Sequence, residues 1–428
     1  MTGRLDGESY ARAALTYLAE PGDLRLAALV LERGAARTLE AIKAGAISVD
    51  TGWDADVLPG SAVAGPSQPP LGASQSAPGA WRSAPGAGND PGAAAGRGGV
   101  PARAAAQRAM ARWRVRLTEL PSADDIAGFC RAGIRLACPG DPEWPSRLDD
   151  LGTARPYALW LRGSADLRFS CLRSVAIVGS RAATAYGTYV ASEFAASVAA
   201  RGWAVISGGA YGVDAAAHRG ALAADGLTVA VLACGVDVPY PAGHADLFDA
   251  IAAQGVIVSE WPPGRTATRL RFLVRNRVIA ALAAGTLVVE AGQRSGAVNS
   301  ARHARDLGRP LMAVPGPITS DLSAGCHTII RDWQGVLVVS AADVVECLSP
   351  AGATSAAGGR ATAVLERDSL DQEAAAVLDA LPSRGGMGPV RIAVRAGLDP
   401  DTVIRCLGAL AAGGFAERCD QGWRARRT

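Results

Sequence analysis

Gly179-Ser180-Arg181 and Ser207-Gly208-Gly209 each close a short run rich in β-branched residues and lead into a helical stretch. Glycine lets backbone approach an anion closely, free amides at a helix start point toward it, and a serine hydroxyl adds a donor. Arg181 adds a planar fork that matches two phosphate oxygens. Two such turns on neighbouring strands point to a phosphate-lined crevice. The competing reading is a pair of ordinary strand-to-helix turns.

A third feature follows a later strand. Arg265, Arg269, Arg271, Arg275 and Arg277 fall in a stretch without acids, with Phe272 in their midst and Asn276 between the last two. Arginines with an interleaved aromatic suit a groove that tracks a phosphate backbone and stacks a base, and each stacked base contributes about 1–3 kcal/mol. Against this stands a solvated helical face on which Phe272 is core. Glu290 ends another strand, and Gly292, Arg294, Ser295 and Gly296 open the next helix. Glu290 reads either as an acid bonding a sugar or base at the crevice rim or as the partner of a nearby arginine.

Bond-breaking chemistry is thinly represented. The GxGxxG dinucleotide fingerprint is missing from the first turn, as is the acid about 20 residues on that would hold a ribose hydroxyl. Asp214 and His218 are four apart on one helix and offer acid–base chemistry, but read more simply as a capping acid and a packing histidine. No nucleophile elbow or Walker A lysine occurs. Four histidines and eight scattered cysteines without a CxxC pair give no zinc spacing. Binding without catalysis, metal or cofactor is therefore expected.

The elements that must hold these residues alternate. Strands are expected at 175–178, 204–206, 228–232, 256–258, 286–289 and 311–314, with helices between them, for example at 184–201 and 296–307. Buried strands alternating with helices imply an α/β fold, a parallel sheet covered on both faces. Ligands of such sheets sit beyond the carboxyl ends of the strands, where the glycine turns lie.

The 428 residues carry 43 basic and 40 acidic side chains, a net charge of +3, so any anion site must be a local cluster. Apolar residues make up 49%, enough for a packed core. Scattered thiols, no signal peptide and no apolar run long enough to span a bilayer lead us to expect a cytoplasmic protein with no membrane partner. Leucines at 15, 18, 24, 26, 29 and 31 suggest short helices split by the Pro21-Gly22-Asp23 break. Between 58 and 100, 32 of 43 residues are Gly, Pro, Ala or Ser, which reads as a disordered insertion. Helical texture resumes over 102–120 and 123–132. The expected organisation is an N-terminal helical domain in two parts (1–57 and 101–135), a core over 136–348 with its lead-in at 136–173, a linker at 349–361, and a C-terminal module over 362–428. The last reads as three short helices and a strand pair, a winged-helix pattern. Its nine arginines and nine acids cancel, which suits a protein contact better than duplex recognition.

At these residues the sequence resembles the DNA-processing protein A family (DprA, also called Smf). The matching stretches are AIVGSRAAT (176–184), SGGAYGVDAAAHRGAL (207–222), VLACGVDVPYP (231–241), SEWPPG (259–264), RFLVRNRVIAAL (271–282), VVEAGQRSGAVNSARHA (288–304), GRPLMAVPG (308–316) and GCHTII (325–330). GIRLACPGDPEWPSRLDDL (133–151) and LWLRG (159–163) look like the family's lead-in. Together they cover about half the chain, in order. The resemblance implies an extended Rossmann-like core with a small N-terminal helical domain of the SAM or helix-hairpin-helix kind and a C-terminal winged helix. It further implies a homodimer without cofactor that binds and protects single-stranded DNA and loads RecA onto it, notably in natural transformation. By motif, Gly179, Ser180 and Arg181 would form the first phosphate contact, and Ser207, Gly208 and Gly209 the second. Arg269 would contact DNA, while Phe272 and Arg275-Asn276-Arg277 match the aromatic and the RNR block. The chain departs from the pattern at Leu273, where proline is usual, at Asn299-Ser300, and at His327, where asparagine is usual. Two rival classes remain: a nucleotide phosphoribohydrolase of the lysine-decarboxylase-like group, whose PGGxGTxxE signature is missing here, and a winged-helix adaptor.

Overall fold

The computed structural model describes residues 6–47, 99–349, 370–383 and 385–426. The first group of helices is α1 (Gly7–Leu18), α2 (Leu24–Arg33), α3 (Ala35–Lys43), α4 (Gly99–Arg116) and α5 (Ala123–Arg131). Asp23 caps α2, accepting from the backbone N–H of Arg25 at 3.1 Å and of Leu26 at 3.3 Å. Leu15, Leu18, Leu26, Leu39 and Trp113 close a small core among α1 to α4. The rest of the Gly/Pro/Ala/Ser-rich 58–100 stretch, before the start of α4 at Gly99, lies outside the described residues, as does the linker beyond Ser349.

Nine strands form one sheet: β1 (Ile134–Ala137), β2 (Leu159–Gly163), β3 (Ser174–Val178), β4 (Ala204–Ser207), β5 (Thr228–Leu232), β6 (Val256–Ser259), β7 (Gly285–Val288), β8 (Leu311–Ala313) and β9 (Val336–Leu337). Their order is β1-β2-β6-β5-β4-β3-β7-β8-β9. The six strands read from the sequence are β3 to β8, all parallel. Beyond the sequence expectation, β1 and β2 add an antiparallel margin next to β6, and the short β9 extends the other edge.

Strand β3 shows why continuous apolar runs make this sheet. Val175 and Ile177 face a core shared with α7 (Ala185–Ala199) and α8 (Val213–Ala223). Ala176 and Val178, one residue out of phase, face the core beneath α10 (Arg269–Leu282) and α11 (Gly296–Asp306). A strand covered on both faces needs apolar residues at every position.

The chain lays down β3 to β6 in one direction, then α10 carries it back across to β7 on the far side of β3. This reversal opens a crevice at the carboxyl ends of β3 and β7. The N-terminal helices are tied to the core through Tyr157 and Trp160. The Tyr157 hydroxyl donates to the Asp23 carbonyl at 3.0 Å and Trp160 Nε1 donates to Thr16 Oγ1 at 3.2 Å. Residues 372–380, 389–396 and 400–412 form three helices followed by an antiparallel ribbon, β10 (Ala416–Cys419) and β11 (Gly422–Ala425), so the elements read from the sequence are present. An Arg168–Asp371 ion pair of 2.8 Å joins this module to the core. No described helix is long and apolar enough to cross a membrane.

Candidate nucleic-acid interface

A cleft of about 690 Å³ opens at the crevice. Its walls are the 179–182 turn after β3, the first half of α10, and the 294–297 turn that starts α11, with Ala210, Asp214 and Tyr240 closing the side. Of the residues singled out from the sequence, Gly179, Ser180, Arg181, Arg269, Phe272, Arg275, Asn276, Ser295 and Gly296 line it. Ser207, Gly208, Gly209, Arg271, Arg277 and Glu290 do not, and each has a different employment.

Arg181 is exposed, and its guanidinium carbon lies 4.4 Å from the centroid of the Phe272 ring. That spacing is a cation–π contact between a loop after β3 and the first turns of α10. Arg269 and Arg294 are exposed on the same cleft and, among the described residues, make no ion pair or hydrogen bond. Three guanidinium groups thus face one opening without an ion pair among the described residues, and the acid in its lining is the buried Asp214.

Arg275 forms the floor. It is buried, donating from Nη1 to the Gly208 carbonyl at 2.8 Å and to the Val231 carbonyl, and from Nε to Asn276 Oδ1 at 3.2 Å. Burial lowers its pKa to about 10. Gly208 is glycine because of this brace: a Cβ there would stand 2.5 Å from the Arg275 guanidinium. Gly209 takes φ +69°, and a Cβ on it would meet the Phe248 ring at 2.6 Å. Ser207 Oγ donates inward to the Ile177 carbonyl at 2.6 Å. The second glycine turn therefore packs against protein, whereas the first faces the cleft.

Three arginines of the basic run are held in ion pairs. Arg271 bonds Glu20 through Nε at 3.0 Å and Nη2 at 2.7 Å and lies over Trp261. Arg265 pairs with Glu119 at 2.5 Å. Arg277 forms a buried bidentate pair with Glu260, at 2.5 and 2.7 Å. Glu290 forms no ion pair with an arginine among the described residues, the second of the two readings of its sequence position. Its carboxylate accepts from the Thr184 backbone N–H at 2.9 Å and the Thr184 hydroxyl at 2.6 Å, fixing the start of α7. His327 shares a 3.0 Å hydrogen bond with the Gly316 carbonyl.

Asp214 is buried against the cleft, where desolvation raises its pKa although Arg275 and Arg181 oppose the shift. His218 is bonded to Thr228 instead, at 2.7 Å, and burial lowers its pKa to about 3. His218 packs as the simpler reading had it, but Asp214 does not cap α8: Gly212 holds that position, and the Asp214 carboxylate accepts from the Ala210 backbone N–H at 3.4 Å. Among the described residues no group of His, Cys, Asp and Glu could hold a metal ion.

Sequence reasoning missed Tyr240 and left Arg294 unassigned. Tyr240 lines the cleft with its ring centroid 5.5 Å from that of Phe272. Its signal was an aromatic between two prolines in the loop after β5; that of Arg294 was a second arginine in a glycine-bearing turn, like Arg181.

The family model for DNA recombination-mediator protein A matches residues 135–349. A protein of Mycobacterium tuberculosis strain H37Rv that carries the DprA name is 47% identical over 317 residues, 72% of this chain and 80% of the relative. The DNA processing protein DprA of Bacillus subtilis is 34% identical over 52% of this chain and 73% of its own length. The crystal structure of DNA processing protein A from Streptococcus pneumoniae superposes with a TM-score of 0.50 at 32% identity, covering 55% of this chain and 81% of that one. Since the match takes in the sheet and every wall of the cleft, the chain belongs to the family of DNA recombination-mediator protein A, whose members are named DprA or Smf.

Proposed function

We propose that this chain binds single-stranded DNA without sequence preference in the α10 cleft, protects it, and loads RecA onto it during DNA uptake or recombination, with no bond-breaking step. One observation carries the reading: Arg181 sits over Phe272 while Arg269 and Arg294 open onto the same cleft, so cations and a stacking ring converge where a backbone can run. Guanidinium groups would neutralise successive phosphates, and the ring would take an unpaired base. Within this reading the chain works in the cytoplasm as a homodimer. The 1–57 and 101–135 segments form one helical domain, 136–348 the DNA-binding core, and 362–428 a winged helix for protein contact.

Fluorescence anisotropy with an oligo-dT against a matched duplex tests the proposal. Single strands should bind more tightly, with log affinity falling by about 0.7 per neutralised phosphate for each decade of salt. Equal binding to duplex, or indifference to salt, would overturn it.

A further inference from the structure

The cleft does not end at Phe272. Tyr240 and Tyr211, in the loops after β5 and β4, are 47% and 52% exposed. Tyrosine rings normally bury most of their apolar surface and tie down the hydroxyl. Here neither hydroxyl has a hydrogen-bond partner among the described residues, yet both rings are held in place from one side. Tyr240 leans on Phe272 at an interplanar angle of 47°. Tyr211 stands edge-on to the buried His244, ring centroids 4.5 Å apart. His244 is itself fixed, with Nδ1 3.1 Å from the Gly209 carbonyl and its ring against Phe248. The two loops meet at Gly243, where a Cβ would come 2.9 Å from the Tyr211 hydroxyl. Glycine at 243 thus leaves room for a ring reaching over from the β4 loop.

Tyr240 thus lines the cleft beside Phe272, and Tyr211 stands outside that lining, its hydroxyl against Gly243 in the same loop as Tyr240. Half-exposed rings that are fixed from one side and carry no charge of their own suit bases rather than phosphates. We propose that Tyr240 and Tyr211 are further stacking platforms, taking the bases that follow the one held at Phe272. This rests on the single-strand reading of the cleft and extends it to a multi-nucleotide track.

Titrating the full-length protein and its Tyr240→Ala, Tyr211→Ala, Tyr240→Leu and Tyr240→Phe variants with a dT 12-mer and an abasic 12-mer of the same phosphate count tests this. Each alanine should weaken dT binding about 5- to 150-fold, the span of one lost stacked base. Binding of the abasic strand should not change, nor should the salt slope on dT. Phenylalanine should restore affinity and leucine should not. The abasic strand also reports that each variant still folds around its arginines. Unchanged dT affinity in the alanine variants, equal loss on both strands, or rescue by leucine would overturn the assignment while leaving the cleft reading intact. A wild-type protein that ignores dT altogether would overturn both.

Discussion

The guanidinium of Arg181 lies 4.4 Å above the ring of Phe272, although the two residues come from different crossovers of the sheet. The contact divides labour within one cleft: the cation is available to a phosphate, while the half-buried ring, which Arg275 and Tyr240 also approach, is the proposed platform for a base. Arg181→Ala should lower oligo-dT affinity and flatten the salt slope by about 0.7, one phosphate's worth. Phe272→Ala should lower affinity with the slope unchanged, by about 1–3 kcal/mol. Anisotropy titrations across a salt series separate the two; a changed slope for Phe272→Ala would show that the ring acts through Arg181 alone.

Arg277 should behave as a structural residue. Its bidentate partner Glu260 is 4% exposed, so Arg277→Ala strands a carboxylate in the interior. The expected cost is about 3–5 kcal/mol, read as a fall in urea midpoint. The Arg271–Glu20 pair is more open at its carboxylate end, and Arg271→Ala should cost only about 1 kcal/mol. Neither variant should change the salt slope of the folded protein, because neither guanidinium lines the cleft. A shallower slope for Arg277→Ala would contradict this.

The arginine run shows what a sequence carries and what it does not. Its local density and the interleaved phenylalanine were legible, and so was the strand rhythm of β3 to β8, because doubly covered strands need unbroken apolar runs. Which arginines stay free was not legible. Their partners are Glu20, Glu119 and Glu260, and the first two lie 251 and 146 residues away along the chain. Gly208 looked like an anion turn because glycine there has two explanations, and the deciding group, Arg275, is 67 residues on. Strands β1 and β2 went unread since antiparallel margins lack the crossover helices that mark the others.

Gly212 should be irreplaceable for a geometric reason. It takes φ +78°, and a Cβ would run into the Ser180 carbonyl oxygen and stand 2.6 Å from that of Arg181. Backbone cannot yield as a side chain does, so Gly212→Ala must displace the 180–181 turn. Oligo-dT affinity should fall at least as far as in Arg181→Ala. Gly264→Ala is the control: its φ is +79°, but among the described residues nothing lies within 4 Å of the added methyl. That variant should cost roughly 1 kcal/mol of stability and leave affinity unchanged. Loss of binding in both would mean that left-handed strain rather than the carbonyl clash is responsible.

His218 predicts a pH dependence of stability unrelated to DNA. The Thr228 hydroxyl donates its one proton to the Val205 carbonyl at 2.8 Å, so it can only accept from His218, which must carry its proton on Nδ1. Nε2 is then a bare acceptor, buried with no hydrogen-bond partner among the described residues, and burial holds the folded-state pKa near 3. Unfolded histidine titrates near 6.5, so between pH 6.5 and 3 the unfolded chain binds a proton that the folded one refuses. Stability is lost as pH falls through that window, by about 2 kcal/mol from this residue between pH 7 and 5. His218→Leu removes the titration while the Thr228 hydroxyl keeps its bond to Val205. Urea midpoints at pH 7 and pH 5 should therefore converge in the variant by about that amount relative to the wild type. An unchanged pH difference would mean that the folded protein accepts the proton, with His218 reaching water or an acid when charged.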